Sequence, residues 1–274
     1  MSSSTARIDR TASKTSQVAA KTTRIRPVPA VSRSIAILRL LGKTAAPLGV
    51  KAIAQSLGMV TSTCLHILRV LVQEQLVSVD AETKRYRLGI GLLSLARSVI
   101  ERNSFANVAH PVLDRLSRDW GVTAIGVEVT GLDHMVVVTL SRSQTPFSLH
   151  LDVGSRFPAL ISATGRLIAA FSDRSWSEIE QKFKQLRWQN APDLKTWRAE
   201  VEAVRRKGYS IDRGNYISGV TIVAVPLFDT SNRVGHAIVA AGVANQLDGP
   251  RSIALAKRMQ VEALSLSDSV LANS

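Results

Sequence analysis

Ser62, Thr63, His66 and Arg69 recur along the run TSTCLHILRVLVQ at spacings that place four hydrogen-bonding side chains on one side of a helix, with Thr61 at its start. The chemistry open to them is recognition, not bond making. Serine and threonine hydroxyls contact phosphate or base edges, a histidine donates to a guanine or a phosphate, and an arginine one turn further on reaches the backbone. Lys84, Arg85 and Arg87 occur further along, in TKRYRLG. The first two suit phosphate positioning. Arg87 suits that role or an ion pair with an acid of its own domain. The competing reading of His66 is an ordinary surface histidine.

Other chemistries are poorly served. The single cysteine, Cys64, excludes an internal disulfide and fits a reducing cytoplasm. The five histidines lack ligand-like spacing, so no metal is expected. Asp212, His236 and several serines could be drawn into a triad. The chain has no G-x-S-x-G elbow and no glycine-rich phosphate loop, however, and neither catalysis nor a cofactor is expected. No apolar run approaches the roughly 20 residues of a membrane span.

The charge is unevenly spread. Net charge is +14 over 274 residues. Residues 1–105 hold 16 Lys and Arg against 5 Asp and Glu, whereas residues 106–274 hold 19 against 16. The excess therefore accompanies the candidate recognition helix, where it attracts phosphates and speeds encounter. Residues 1–30 are basic and polar, too poor in apolar side chains to order themselves. They suit an arm along DNA or a solvated tail. Their composition also resembles a transit peptide but without a clear amphipathic face.

These side chains need elements to hold them. Apolar spacing predicts a helix over 33–41, capped by Ser32 and ended near Gly42, and a second over 50–57 with a turn at Gly58. A third begins at Thr61 or Ser62, either hydroxyl serving as its cap, and buries Leu65, Leu68, Leu71 and Val72. Strands at 77–79 and 86–88 flank a loop over 80–85, and a helix over 89–102 links this domain to a second one. Helix, turn, helix and basic hairpin make a winged helix-turn-helix.

The remainder predicts helices over 105–120, 158–171, 175–186, 194–207 and 250–271. Strands are expected over 123–129, 134–141, 147–153, 209–213, 220–228 and 233–242. The fold class is therefore a two-domain α+β chain with a mainly antiparallel sheet in the second domain. The boundaries fall at 1–30 for the disordered tail, 31–89 for the DNA-binding domain, 90–104 for the linker helix and 105–274 for the second domain.

Taken in order, SRSIAILRLL, AIAQSLG, STCLHILRVLV and TKRYRLG, then GSRFPALISATGRLIAA, RRKGYSIDRGNYISGV and VPLFDTSNRVGHAIVAAG, resemble the IclR family of bacterial transcriptional regulators over about residues 31–271. The resemblance implies a winged helix-turn-helix joined by a helix to a GAF-like effector-binding domain. It implies homodimers, often paired as dimers of dimers, a small organic acid as effector, and repression more often than activation. It also carries an effector floor onto Ala163, Thr164, Asp212, Ile222, Val239 and Ala241. Two departures are visible in the recognition helix, since the family usually has Lys where Thr61 stands and His-Arg where Leu65-His66 stand. Some members have cysteine at the Ile222 position and serines at those of Val239 and Ala241, and this chain is apolar at all three. An aromatic or otherwise hydrophobic acid then fits better than a small keto acid, whose oxygens would lose roughly 1 to 3 kcal/mol each if left unpaired.

The expectation is a sequence-specific regulator whose grip on operator DNA responds to such an acid. The alternatives are a small-molecule binding protein with vestigial DNA binding and a nucleoid-type binder that ignores sequence and ligand.

Overall fold

Pro29 opens the first helix, α1 (Pro29–Lys43), because its fixed φ and missing N–H cost nothing in a first turn. The helix thus begins ahead of Ser32, and Val28 occupies the capping position without a side-chain cap. The computed structural model describes residues 28–102, 104–143 and 151–272. The basic segment 1–27 lies outside them. The chain divides into two units between Ala96 and Arg97.

In the first unit, β1 (Leu48–Gly49) leads into α2 (Val50–Ser56), and α3 (Thr61–Gln73) lies at 113° to it. The turn between them uses Gly58 at φ +59°, a conformation that only glycine adopts cheaply. Then come β2 (Val77–Val79) and β3 (Arg85–Leu88), which pair antiparallel, with β1 on the other side of β3. Ile37 and Leu41 of α1, Ile53 of α2, Cys64, Leu68 and Leu71 of α3, and Tyr86 of β3 close one core. Leu65 is only half-buried, and Cys64 takes the central place expected of it. The helix α4 (Gly91–Arg102) comes next and crosses the division between the units.

The second unit is built on a six-stranded antiparallel sheet. Its strands are β4 (Thr123–Thr130), β5 (His134–Ser141), β6 (Arg156–Pro158), β7 (Ser210–Arg213), β8 (Val220–Phe228) and β9 (Val234–Val243), in the order β6-β5-β4-β9-β8-β7. Alternating side chains feed two cores, as a pleat with period two requires. Ile222, Ala224, Val239 and Ala241 point to one face. Val223, Val225, Ile238 and Ala240 point to the other. The second face is covered by α5 (Ser104–Trp120) and α9 (Gly249–Ala272). The first is covered by α6 (Ser162–Ala170), α7 (Trp176–Phe183) and α8 (Leu194–Lys207), around Phe183 and Trp197. Coverage on both sides explains why VTIVAVPLF reads as a continuous apolar run.

Two expectations shift. Residues 156–158 form an edge strand and α6 starts at Ser162, so the helix expected over 158–171 is shorter. Of the strand expected over 147–153, residues 147–150 lie outside the described residues and 151–153 are not strand.

Candidate functional site

The recognition helix presents Thr61, Ser62, His66 and Arg69 exposed, with Thr63 half-buried. Neither Thr61 nor Ser62 caps it. Val60 is the N-cap, in extended conformation and without a side-chain bond, and the Cys64 N–H donates to its carbonyl at 3.0 Å. The helix starts one residue too early for a hydroxyl to serve. The N–H groups of its first turn and both hydroxyls thus remain available to an acceptor from outside, and a helix N-terminus favours an anion there.

The wing is tightened by an Asx turn. Asp80 Oδ1 accepts from the N–H of Thr83 at 2.7 Å, from its hydroxyl at 2.8 Å and from the N–H of Glu82 at 3.1 Å. The Thr83 bonds hold this carboxyl below the usual range. Lys84 sits next at φ +52°, fully turned out at the tip. Arg85 and Arg87 alternate with the buried Tyr86 and so share the outer face. Arg85 Nη1 donates to the Pro47 carbonyl at 3.3 Å, and Arg87 Nε to Ser78 Oγ at 3.2 Å. The seven residues expected to meet DNA therefore belong to two elements of one unit, all but Thr63 exposed.

In the second unit a cavity of about 200 Å³ opens between the sheet and the start of α6. Ile125, Val127, Met135, Val137, Ile222, Val239 and Ala241 line it from four strands. Leu151 and Phe157 add further apolar wall. Among the described residues its polar side chains are Ser162 and Thr164, which begin α6, and Tyr216, in the loop 214–219. Burial pushes the Tyr216 phenol upward, so it stays a protonated donor at neutral pH.

Ser162 is unusual twice over. Its backbone sits at φ +61°, costly for a residue with a Cβ, and its buried Oγ has no hydrogen-bond partner among the described residues. Gly165 makes its position possible. A Cβ there would lie 2.0 Å from the Leu160 carbonyl carbon and oxygen, so only glycine lets the first turn of α6 settle on the preceding segment.

Of the six residues carried over to the effector floor, Thr164, Ile222, Val239 and Ala241 line the cavity. Ala163 and Asp212 do not. Ala163 is fully buried in the same core, and Asp212 accepts from the backbone N–H groups of Asn215 and Tyr216. Among the lining residues that the sequence did not single out are Ser162, Tyr216 and Ile217. Nothing local marks Ser162, since a positive φ is anticipated at glycine or asparagine. Among the described residues no group of three or more His, Cys, Asp or Glu side chains could hold a metal ion, and no single helix is long and apolar enough to cross a membrane.

Comparison with known proteins bears on both units. The family pattern described as IclR helix-turn-helix domain matches residues 30–81, and that described as Bacterial transcriptional regulator IclR C-terminal matches residues 97–268. The HTH-type transcriptional repressor AllR of Escherichia coli (strain K12) is 24% identical over 241 residues, covering 87% of this chain and 89% of its own. Among solved structures, an IclR transcriptional regulator from Alicyclobacillus acidocaldarius superposes with a TM-score of 0.77 at 26% identity, over 89% of this chain and 99% of that one. An IclR homologue from Microbacterium hydrocarbonoxydans, solved in complex with 4-hydroxybenzoate, superposes with a TM-score of 0.74 at 17% identity over the same shares. With an exposed recognition helix and basic wing in one unit, and a sheet-lined cavity in the other, this chain belongs to the IclR family of bacterial transcriptional regulators.

Proposed function

We propose that this regulator is a repressor released from its operator by a single-ring aromatic carboxylate. The observation that carries the ligand class is the division of the cavity. Among the described residues its polar side chains lie at the start of α6 and in the loop 214–219, and the other lining side chains are apolar. A carboxylate placed at the polar end meets the first-turn N–H groups of Ala163 and Thr164, which have no carbonyl one turn back, together with the Ser162 hydroxyl after a rotamer change. The ring fills the apolar end. About 150 Å³ is enough for benzene in an engineered protein cavity, so the volume here suits one ring with a small substituent. Burying on the order of 150 Å² of ring surface gains roughly 4 kcal/mol. A keto acid gains little of this and leaves its oxygens against Ile222, Val239 and Ala241. That a relative was solved with 4-hydroxybenzoate supports the class.

On the DNA side, α3 lies in the major groove, with Thr61, Ser62, Thr63 and His66 toward base edges and flanking phosphates. Arg69, Lys84 and Arg85 hold the backbone. The domain limits are those read from the sequence except that the DNA-binding domain opens with α1 at Pro29, and α4 is the linker. The protein acts by binding alone, in the cytoplasm, as a homodimer or a dimer of dimers. Leu93 and Val99, each about two-thirds exposed on α4, support association, since such side chains repay burial against a second copy.

Two titrations test this. Calorimetry is run with benzoate and 4-hydroxybenzoate against glyoxylate and pyruvate. Tight binding of the keto acids with none of the aromatic acids rejects the ligand class. Fluorescence anisotropy with DNA upstream of the protein's own gene should give binding at least about a thousandfold tighter than to scrambled DNA at near-physiological salt. Equal binding to both, collapsing with salt, leaves only charge attraction.

A further inference from the structure

Arg166, on the second turn of α6, is 1% exposed, and its guanidinium reaches three elements at once. Nε donates to Glu200 Oε2 of α8 at 2.6 Å, Nη1 to the Ser162 carbonyl at 3.0 Å, and Nη2 to Asn215 Oδ1 at 2.7 Å. Nη1 also lies 3.7 Å from Asp212 Oδ2, itself 1% exposed on β7. Asp212 in turn accepts from the N–H of Asn215 at 2.7 Å and from that of Tyr216 at 3.3 Å.

This ion pair is not part of the cavity wall, yet each member grips a residue that is. Arg166 holds Ser162, and Asp212 holds Tyr216. The loop 214–219 begins and ends at glycines with positive φ, +81° at Gly214 and +74° at Gly219. Asn190 straps its base, its N–H donating to the Asn215 carbonyl and its Nδ2 to the Gly214 carbonyl.

Backbone strain and guanidinium shape decide what the pair does. The positive φ of Ser162 must be held by its surroundings, and the Arg166 bond to its carbonyl is a direct restraint upon it. A planar fork serves three directions together, which a lysine ammonium on a flexible stem does not.

We propose that Arg166 is a positioning residue for the ligand cavity. With Asp212 it locks the strained start of α6 to the loop 214–219, in the arrangement where Ser162, Thr164, Tyr216 and Ile217 face a bound ligand. It sets ligand affinity without touching the ligand. The inference rests on the ligand-cavity reading above, and its test has one arm that needs no ligand.

The test uses the full-length chain and the variants Arg166→Lys and Asn215→Ala. Hydrogen exchange is tracked residue by residue in the ligand-free proteins, beside calorimetry with 4-hydroxybenzoate and anisotropy with upstream DNA. Exchange at the amides of Asn215 and Tyr216 should quicken at least tenfold in both variants, with the change confined to the loop and the first turn of α6. Binding of 4-hydroxybenzoate should weaken at least tenfold, while DNA affinity without ligand stays within twofold. Should Arg166→Lys fail to fold, Asn215→Ala carries the test, because it removes the Arg166 Nη2 bond, together with the one Asn215 Nδ2 donates to the Asn190 carbonyl, and leaves the ion pair; Asn190→Ala, which loosens the strap but keeps the Arg166 bonds, is the control. Unchanged exchange at both amides overturns the proposal. So does acceleration spread evenly through β7, β8 and α8, which marks a residue that only stabilises the core. If the wild-type chain binds no aromatic acid, the ligand reading fails, and the exchange arm still decides the lock.

Discussion

Lys84 and His66 are both exposed on the DNA-binding unit, but different physics governs what their loss would do. A lysine on phosphate acts by releasing counterions. Lys84→Ala should therefore weaken binding to every sequence alike and reduce the slope of log K against log salt by about one. A histidine on a base edge acts by geometry. His66→Ala should cost roughly 1 to 3 kcal/mol at one base pair and leave the salt slope nearly unchanged. Titrations at four salt concentrations against operator and scramble separate the two, and equal weakening on both DNAs would move His66 to the backbone. A third residue reports on the second unit. His236 stacks on Phe105 with ring centroids 4.3 Å apart, and burial holds its pKa below the ordinary value, partly opposed by Glu128. The folded chain therefore binds this proton less readily than the unfolded chain does. The stability contribution is complete above the unfolded histidine pKa of about 6.5 and is lost as pH falls through the lower folded value. His236→Phe should narrow the difference in melting temperature between pH 7.5 and pH 5.5, and an unaltered difference would place the acid sensitivity elsewhere.

At the level of elements, the first turn of α6 is the most constrained piece of the second unit. Gly165→Ala forces a methyl into the Leu160 carbonyl, where backbone and not a flexible side chain must yield. Such overpacking costs typically 1 to 3 kcal/mol, and the rigid neighbour puts this case at or above about 3. Denaturant unfolding should show that loss together with weakened ligand binding, and near-wild-type stability would mean that α6 can shift as a body. The same turn shows where sequence stops being informative. The strands β4 and β5 were legible because apolar alternation and Gly131 mark them locally, and the recognition helix because its stripe repeats at helical spacing. Its start at Thr61 agrees with the spacing, but the two hydroxyl residues there suggested a cap that the backbone does not use. Ser162 at positive φ is held through Arg166, whose guanidinium reaches Asn215 about fifty residues on, and Asp212 is turned to the N–H groups of the loop that follows it and not into the cavity. Family resemblance placed Thr164, Ile222, Val239 and Ala241 on the cavity wall, but could not say which neighbour would face behind it.

For the molecule as a whole, function is a coupling between two binding events. A ligand shifts DNA affinity only by the difference in its affinity for the DNA-competent and incompetent arrangements. That coupling is reciprocal and is on the order of 1 to 3 kcal/mol in most regulators, or roughly 5- to 150-fold. If 4-hydroxybenzoate lowers operator affinity by some factor, saturating operator must lower 4-hydroxybenzoate affinity by the same factor. Calorimetry of the acid with and without operator, beside anisotropy with and without acid, closes this cycle. Unequal factors would mean that the acid acts on another species, such as an assembly equilibrium. Val239→Phe supplies the control, since it adds an aromatic ring to the cavity wall on β9. It should abolish acid binding and the acid's effect on DNA, while operator affinity in the absence of acid stays near wild type. Retained release of DNA by the acid in this variant would show that the cavity is not where the signal enters.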